Sequence, residues 1–158
     1  MFRLGVSVMD YEISLEENAS EEELQVLSEG LMEYNRSKVG GRSKEPLTFF
    51  LRDGEGRIAG GVHGNYSSTS GWLYVAALWV SEGARGGGYG RRLMERVERE
   101  AVGRGCTDAY LDTFSFQAPG FYKKLGYVVF GELEDFPEGH SRIFLRKRLR
   151  PRASLTDA

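Results

Sequence analysis

The chain has 158 residues with ordinary fractions of hydrophobic (41%) and charged (28%) side chains, which predicts one globular domain at 1–150 and a disordered tail at 151–158. A formal net charge of −2 argues against a general nucleic-acid-binding protein. Cys106 is the lone cysteine, so an internal disulfide is excluded and a cytoplasmic location is expected.

The first half of the chain is predicted to hold a helix between short strands. The apolar start at 2–9 is too short to cross a membrane and is interpreted as a strand or an irregular segment. Ser20 and Glu23 have the spacing of a capping box that starts a helix. Residues 35–45 are a connection or a short further helix, because glycines and a proline interrupt the pattern there. Residues 72–80 are apolar on both faces, which predicts a central strand covered on both sides.

The order of elements predicts the fold class. It reads strand, helix, three strands, helix, strand, helix, two strands, so the chain is α/β (α+β) with a mixed, mostly antiparallel sheet of six or seven strands and three or four helices. The predicted strands are 11–15, 47–52, 57–66, 72–80, 108–114, 127–131 and 142–149.

The strongest chemical signal is a glycine-rich loop, VSEGARGGGYGR at residues 80–91. It follows a predicted strand and opens an amphipathic helix whose Leu93, Val97 and Ala101 share one face. Glycines let successive N–H groups turn to one point, and the helix N-terminus adds unpaired N–H groups and a positive dipole. The loop therefore predicts a phosphate or pyrophosphate site.

Two familiar phosphate loops do not fit this sequence. A Walker loop requires Gly-Lys-Ser/Thr, whereas Arg91 and Arg92 follow the last glycine. A dinucleotide fingerprint requires Gly-x-Gly-x-x-Gly, whereas Gly86, Gly88 and Gly90 are spaced by two.

Two segments resemble signatures of the GCN5-related N-acetyltransferase (GNAT) superfamily. The segment RGGGYG at 85–90 resembles its pyrophosphate loop, and APGFYKKLGY at 118–127 resembles its Ala-x-x-Phe-Tyr-x-x-x-Gly-Phe segment. They stand in the family's order, with one predicted strand between them. The resemblance implies a sheet splayed at its centre, acetyl-CoA as co-substrate, and transfer of an acetyl group to a primary amine.

The resemblance also implies which residues hold the co-substrate. Pantetheine would lie between strands 72–80 and 108–114, with a main-chain N–H near 78–80 polarising the thioester carbonyl. Tyr122 matches the family's general acid toward the departing thiolate, although it also fits a core aromatic, and Ser115 stands where many members have Asn. The implied contacts come from Leu78, Trp79, Val80, Arg85, Gly86, Gly87, Gly88, Tyr89, Gly90, Arg91, Ser115, Ala118, Phe121 and Tyr122.

The sequence defines the general base and the amine acceptor of this reaction less clearly than the co-substrate site. A lysine-type amine has a pKa near about 10.4 and must lose a proton before it attacks. The candidate bases are His63, His140, Glu33 and Asp112, and a chain of waters is the alternative. The acceptor, an amine of a small molecule or peptide, is expected between residues 34–45 and 132–140. The second stretch is either a solvated loop or a surface for a cationic acceptor, since it carries Glu132, Glu134, Asp135 and Glu138.

The sequence also permits another function and another acyl donor. The chain also fits a catalytically silent CoA-binding sensor or structural module, and the acyl donor also fits succinyl-CoA. Two histidines and one cysteine without ligand spacing predict no metal site. Neither nucleic acid nor membrane is expected as a partner, and a homodimer is a further expectation.

Overall fold

The computed structural model describes residues 11–41 and 44–150. The chain divides into two compact units, Met1–Gly41 and Arg42–Ala158. The predictions for residues 2–9 and for the tail at 151–158 lie outside the described residues. None of the helices in the described ranges is long and apolar enough to cross a membrane.

In its described residues, 11–41, the first unit contains one capped helix, α1 (Glu21–Val39). The predicted capping box is confirmed, because the Glu23 N–H donates to Ser20 Oγ at 3.2 Å and the Ser20 N–H donates to the Glu23 carboxylate at 2.8 Å. Residues 35–39, predicted as a connection or a short further helix, instead continue this helix, which ends at Gly40 with φ 73°. The strand predicted at 11–15 is wrong, since those residues form no strand.

The second unit is a six-stranded sheet in the order β1-β2-β3-β4-β6-β5. All neighbouring strands are antiparallel except β3 and β4, which are parallel. The predicted mixed, mostly antiparallel sheet is therefore confirmed, with six strands and three helices in the described chain. The elements are β1 (Glu45–Arg52), β2 (Ile58–Ser67), β3 (Trp72–Val80), α2 (Tyr89–Gly103), β4 (Asp108–Phe114), α3 (Pro119–Lys124), β5 (Val128–Leu133) and β6 (Arg142–Arg148).

The sheet opens between its two parallel strands. Pairing of β3 with β4 covers only Trp72–Val75 against Asp108–Leu111, so the second half of β3 has no partner on that side. The register with β2 passes from His63 opposite Ala77 to Gly64 opposite Val75, which leaves Ala76 as an extra residue on β3. Such a bulge bends its strand and increases the twist, which accounts for β3 leaving β4 at this point.

Gly64 is required where the bulge forms. A Cβ at Gly64 would collide with the carbonyl oxygen of Tyr74 on the neighbouring strand. Only glycine allows the two backbones this close, so the residue permits the bend that opens the sheet.

The core lies on one face of the sheet under α2. Its large, fully buried members include Leu73, Met94, Val97, Leu111 and Leu145. β3 was predicted to be covered on both faces along its whole length, and this is wrong for its second half, where Trp79 is 54% exposed. The reason is that this half lines an opening instead of a closed sheet.

One buried polar cluster ties α2 to the far strands. The Tyr127 hydroxyl donates to Glu98 Oε1 at 2.9 Å, and Lys147 Nζ donates to Glu98 Oε2 at 2.6 Å. Burial, followed by the Glu98 carboxylate, raises the pKa of Tyr127, so its hydroxyl remains a donor. Both oxygens of the buried carboxylate are thus satisfied.

Replacing Tyr127 with phenylalanine should lower the free energy of unfolding by about 1.5–3 kcal/mol, the usual contribution of a hydrogen bond to a charged group. Urea unfolding of the variant and the parent measures this difference. Tyr110→Phe is the matched control, because the Tyr110 hydroxyl bonds no other residue in the described ranges. Equal losses in the two variants would show that the Glu98 contact adds nothing.

Candidate active site

A cleft of about 950 Å³ lies where β3 and β4 part. Its walls are the second half of β3, the glycine loop, the end of β4 and the helix α3. Of the residues predicted to bind the co-substrate, Gly87 and Ser115 do not line this cleft. The predicted residues that line it are Leu78, Trp79, Val80, Arg85, Gly86, Gly88, Tyr89, Gly90, Arg91, Ala118, Phe121 and Tyr122.

The free edge of β3 presents backbone groups to the cleft. The Ser81 N–H donates to Ala59 on β2 at 2.8 Å. Successive residues of a strand direct their backbone N–H and C=O groups to opposite sides. The backbone groups of Leu78 and Val80 therefore point away from β2, toward the side on which β3 no longer pairs with β4. Arg85 Nε donates to the Val80 carbonyl at 3.1 Å. The N–H groups of Leu78 and Val80 and the Leu78 carbonyl therefore face the opening without a ladder partner.

The glycine loop supplies a run of unpaired amides at one end of the cleft. The first backbone hydrogen bond into α2 runs from the Arg92 N–H to the Gly88 carbonyl at 3.1 Å. The Arg85 N–H donates to Glu82 at 3.2 Å, so it is committed within the loop. In the part of the chain that the structure describes, the amides of residues 86–91 have no backbone acceptor. Six such donors at a helix N-terminus suit a diphosphate.

Positive φ angles shape this loop. Gly86 has φ 81° and Gly88, the N-cap of α2, has φ 73°, and no heavy atom lies within 4 Å of a Cβ built on either. Both residues thus adopt a conformation that side chains disfavour, while the space beside them remains open for a ligand. At Gly90 a Cβ would lie 3.3 Å from the Phe121 ring, so α2 and α3 approach closely there.

Tyr122 stands on α3, which begins with Pro119 at its first turn. Its ring is half-buried and contacts Phe121 and Tyr127 edge-on, with ring centroids 5.1 and 6.1 Å apart. Burial raises the pKa of Tyr122, so the phenol stays protonated at neutral pH. Its hydroxyl bonds no other residue in the described ranges and is therefore available to a ligand in the cleft.

Two of the candidate bases, His63 and His140, lie next to residues that line the cleft. His63 on β2 is in register with Ala77, which lines the cleft, and its Nδ1 lies 2.7 Å from Thr48 Oγ1. The His140 ring lies 5.0 Å from that of Phe116, another lining residue. Glu33 lies on α1, where it forms an ion pair with Arg36 at 3.1 Å.

Asp112 lines the cleft, but its carboxylate is already engaged. Tyr74 donates its hydroxyl to Oδ1 at 3.1 Å, and Arg142 Nε donates to Oδ2 at 2.8 Å. Each carboxylate oxygen of Asp112 therefore already accepts a hydrogen bond from another side chain of the protein. Burial, followed by the Asp112 charge, raises the pKa of Tyr74.

Sequence reasoning missed Gln117, which closes the end of β4. Its Oε1 accepts hydrogen bonds from the Phe114 N–H and the Thr113 hydroxyl, each at 3.0 Å, and its own N–H donates to the Phe114 carbonyl at 2.9 Å. Ser115, predicted to contact pantetheine, accepts a hydrogen bond from the Ser141 N–H at 3.0 Å, next to the start of β6. This contact joins residues that are 26 positions apart in the chain, so no local spacing indicated it.

The comparisons with known proteins agree on one family. A family model described as "Acetyltransferase (GNAT) family" matches residues 11–127. An acetyltransferase of Agrobacterium fabrum is 34% identical over 134 residues, which are 85% of this chain and 96% of the relative. The blasticidin-S acetyltransferase of Streptomyces morookaense is 42% identical over 95 residues, covering 60% of this chain and 68% of that protein.

A solved structure matches the fold closely. The crystal structure of an acetyltransferase from Bacillus cereus superposes with a TM-score of 0.78 and 38% sequence identity. The alignment covers 85% of this chain and 97% of that one.

Proposed function

The chain belongs to the GNAT acetyltransferase family and is an acyl-CoA-dependent N-acyltransferase, and from this premise we propose that it transfers an acetyl group from acetyl-CoA directly to a primary amine. The acceptor is an amine of a small molecule or peptide. The observation that carries the proposal is the set of unpartnered amides at 86–91 beside an opened sheet. Donors for a diphosphate and a free strand edge for an extended amide chain thus lie in one cleft.

The residues present fit the co-substrate. The amides at 86–91 would hold the diphosphate, and the open space beside Gly86 and Gly88 leaves room for it. The free backbone groups of Leu78 and Val80 would pair with the amides of the pantetheine arm. The apolar faces of Ala118 and Phe121 complete the opposite wall of the cleft.

Bound acetyl-CoA would supply a thioester whose carbonyl carbon accepts the amine nitrogen, so that a C–N bond forms and the C–S bond breaks. A main-chain N–H at Leu78 or Val80 stabilises the charge that develops on the carbonyl oxygen. Tyr122 Oη donates its proton to the departing sulfur, since its raised pKa keeps that proton in place at neutral pH. The amine's own proton leaves through a base or a chain of waters.

Among the candidate bases, His63 and His140 lie next to residues that line the cleft, whereas both carboxylate oxygens of Asp112 already accept hydrogen bonds. His63 is one strand from the free edge of β3, and Thr48 holds its Nδ1. His140 contacts the lining residue Phe116 on the other side of the opening. A water between either ring and the amine would complete the transfer, so we assign the step to neither alone.

A small-molecule acceptor is supported by the relatives. The 42% identical relative is named a blasticidin-S acetyltransferase, that is, an acetyltransferase of blasticidin S. We extend to this chain only the acceptor class. A cytoplasmic location and a homodimer remain predictions.

The test is release of CoA thiol from acetyl-CoA across a panel of primary amines, with the mass of each product determined. We expect at least one amine to raise thiol release about tenfold or more above hydrolysis, with a mass gain of one acetyl group. CoA binding with no amine-dependent release would favour a silent CoA-binding module. The same panel with succinyl-CoA tests the donor, and faster transfer from succinyl-CoA would contradict acetyl transfer as the main reaction.

A further inference from the structure

The side chain of Gln117 is fixed at the edge of β4 that faces the cleft. The Ser115 N–H donates to the Ser141 carbonyl at 2.8 Å, on the side of β6. Because successive residues of a strand alternate, the N–H and C=O groups of Phe114 face the other side, from which β3 has parted. Gln117 satisfies both groups, since its Oε1 accepts from the Phe114 N–H and its main-chain N–H donates to the Phe114 carbonyl.

These partners determine the orientation of the Gln117 amide. The Phe114 N–H and the Thr113 hydroxyl both lie 3.0 Å from the same side-chain atom, and a main-chain N–H can only donate. That atom is therefore the amide oxygen, because the reverse orientation would place an NH₂ group against the Phe114 N–H. The two bonds occupy both lone pairs of Oε1, so the oxygen has no capacity left for a ligand.

The amide nitrogen of Gln117 is the end that remains for a ligand. In the described ranges of the chain Nε2 donates to no residue, and Gln117 lines the cleft. The side chain is ordered by Thr113, which is 3% exposed, and by the end of β4. A ligand thus meets a preoriented donor and does not have to order a free side chain. This wall of the cleft accordingly requires a hydrogen-bond acceptor from the ligand.

The opposite wall indicates which acceptor that is. On the free edge of β3 the Leu78 carbonyl has no ladder partner and accepts an N–H from the cleft. In a trans amide the N–H and the C=O point in opposite directions. An amide of the pantetheine arm that donates its N–H to Leu78 therefore turns its carbonyl oxygen toward β4, the strand whose end Gln117 occupies.

We propose that Gln117 Nε2 donates a hydrogen bond to an amide carbonyl of the pantetheine arm of CoA. This inference rests on the proposed transferase function and adds a binding residue to it. The family resemblance implied such a side-chain contact at Ser115, which does not line the cleft and already accepts from the Ser141 N–H. Gln117 supplies the donor two positions later in the chain.

NMR of the glutamine side-chain amides tests the contact directly. The sequence contains two glutamines, Gln25 and Gln117, and the Gln25 amide donates to Glu29 within α1, so it serves as an internal reference. CoA should move the Gln117 Nε2 resonances and leave those of Gln25 unchanged. ADP, which has an adenosine and a diphosphate but no pantetheine arm, should leave both nearly unchanged. Unmoved Gln117 resonances in the CoA-saturated protein would overturn the inference.

Two substitutions at Gln117 test the energetic contribution by calorimetry. Gln117→Glu keeps an oxygen for Phe114 and Thr113 but removes the donors, so CoA should bind about three- to tenfold more weakly, the loss of one neutral hydrogen bond or slightly more. ADP should bind as it does to the parent. Gln117→Met removes the donors without adding a charge and should weaken CoA binding by a similar factor.

The outcomes separate this inference from the proposed function. Parent-like CoA affinity in Gln117→Met would show that Gln117→Glu acts through its charge alone and would overturn the inference, as would equal losses for CoA and ADP. Failure of the parent protein to bind CoA would refute the proposed function itself. The spectrum of Gln117→Glu identifies the Gln117 resonances by their absence.

Discussion

Tyr122→Phe should lower kcat by about a hundred- to ten-thousand-fold, the range that general acid catalysis contributes, with CoA affinity unchanged. The phenol lies in the cleft without a protein partner, and phenylalanine preserves its packing against Phe121 and Tyr127. The substitution thus removes the proton donor and little else. Steady-state kinetics with the best amine of the panel gives kcat, and calorimetry gives the CoA dissociation constant.

The pH dependence of the parent protein's rate also tests whether Tyr122 is the general acid. Because burial raises the pKa of Tyr122, its proton is retained until the pH exceeds the usual value for a phenol, and rate loss through this group begins only above that point. Tyr110→Phe is the control, since Tyr110 does not line the cleft. A rate in Tyr122→Phe equal to that of the parent would remove Tyr122 from the mechanism.

Gly88→Glu should weaken CoA binding by at least about a hundredfold while the chain still folds. A carboxylate would stand where the diphosphate is held, and juxtaposed like charges cost several kcal/mol. No protein atom lies within 4 Å of a Cβ at Gly88, so the new side chain has open space where it begins. Calorimetric titration with CoA measures the loss, and thermal unfolding checks the fold.

Two further variants separate charge from strain. Gly88→Ala imposes a side chain on a residue with φ 73°, which costs about 1–2 kcal/mol without a charge, so its CoA binding should fall much less. Gly54→Glu adds the same charge in a turn outside the cleft, also with open space around it, and should bind CoA as the parent does. Unchanged CoA affinity in Gly88→Glu would refute the assignment of the loop.

The local pattern of apolar and turn residues predicted the strands and the helix around the cleft well. The bounds of β3 and β4 agree with the predicted strands, because long apolar runs ending at turn residues leave little ambiguity. The glycine loop was placed correctly between β3 and α2, since the amphipathic period of Leu93, Val97 and Ala101 starts directly after it. The family resemblance, rather than these patterns, supplied the expectation that the sheet is splayed.

Features that depend on distant contacts were not predictable in this way. The strand predicted at 11–15 fails because a short alternating run becomes a strand only when another strand pairs with it. The bulge at Ala76 depends on the close approach of Gly64 to Tyr74, which are brought together by strand pairing. Likewise, Arg142 meets Asp112 and the ring of Phe114 only once β6 has paired with β4.

A crystal structure of the protein with bound CoA is the most direct test of the cleft as the donor site. It should show diphosphate oxygens within about 3.2 Å of several N–H groups of residues 86–91, and the pantetheine arm between the free half of β3 and β4. CoA seated elsewhere on the protein, or a closed β3–β4 ladder that leaves no room for the arm, would contradict the account.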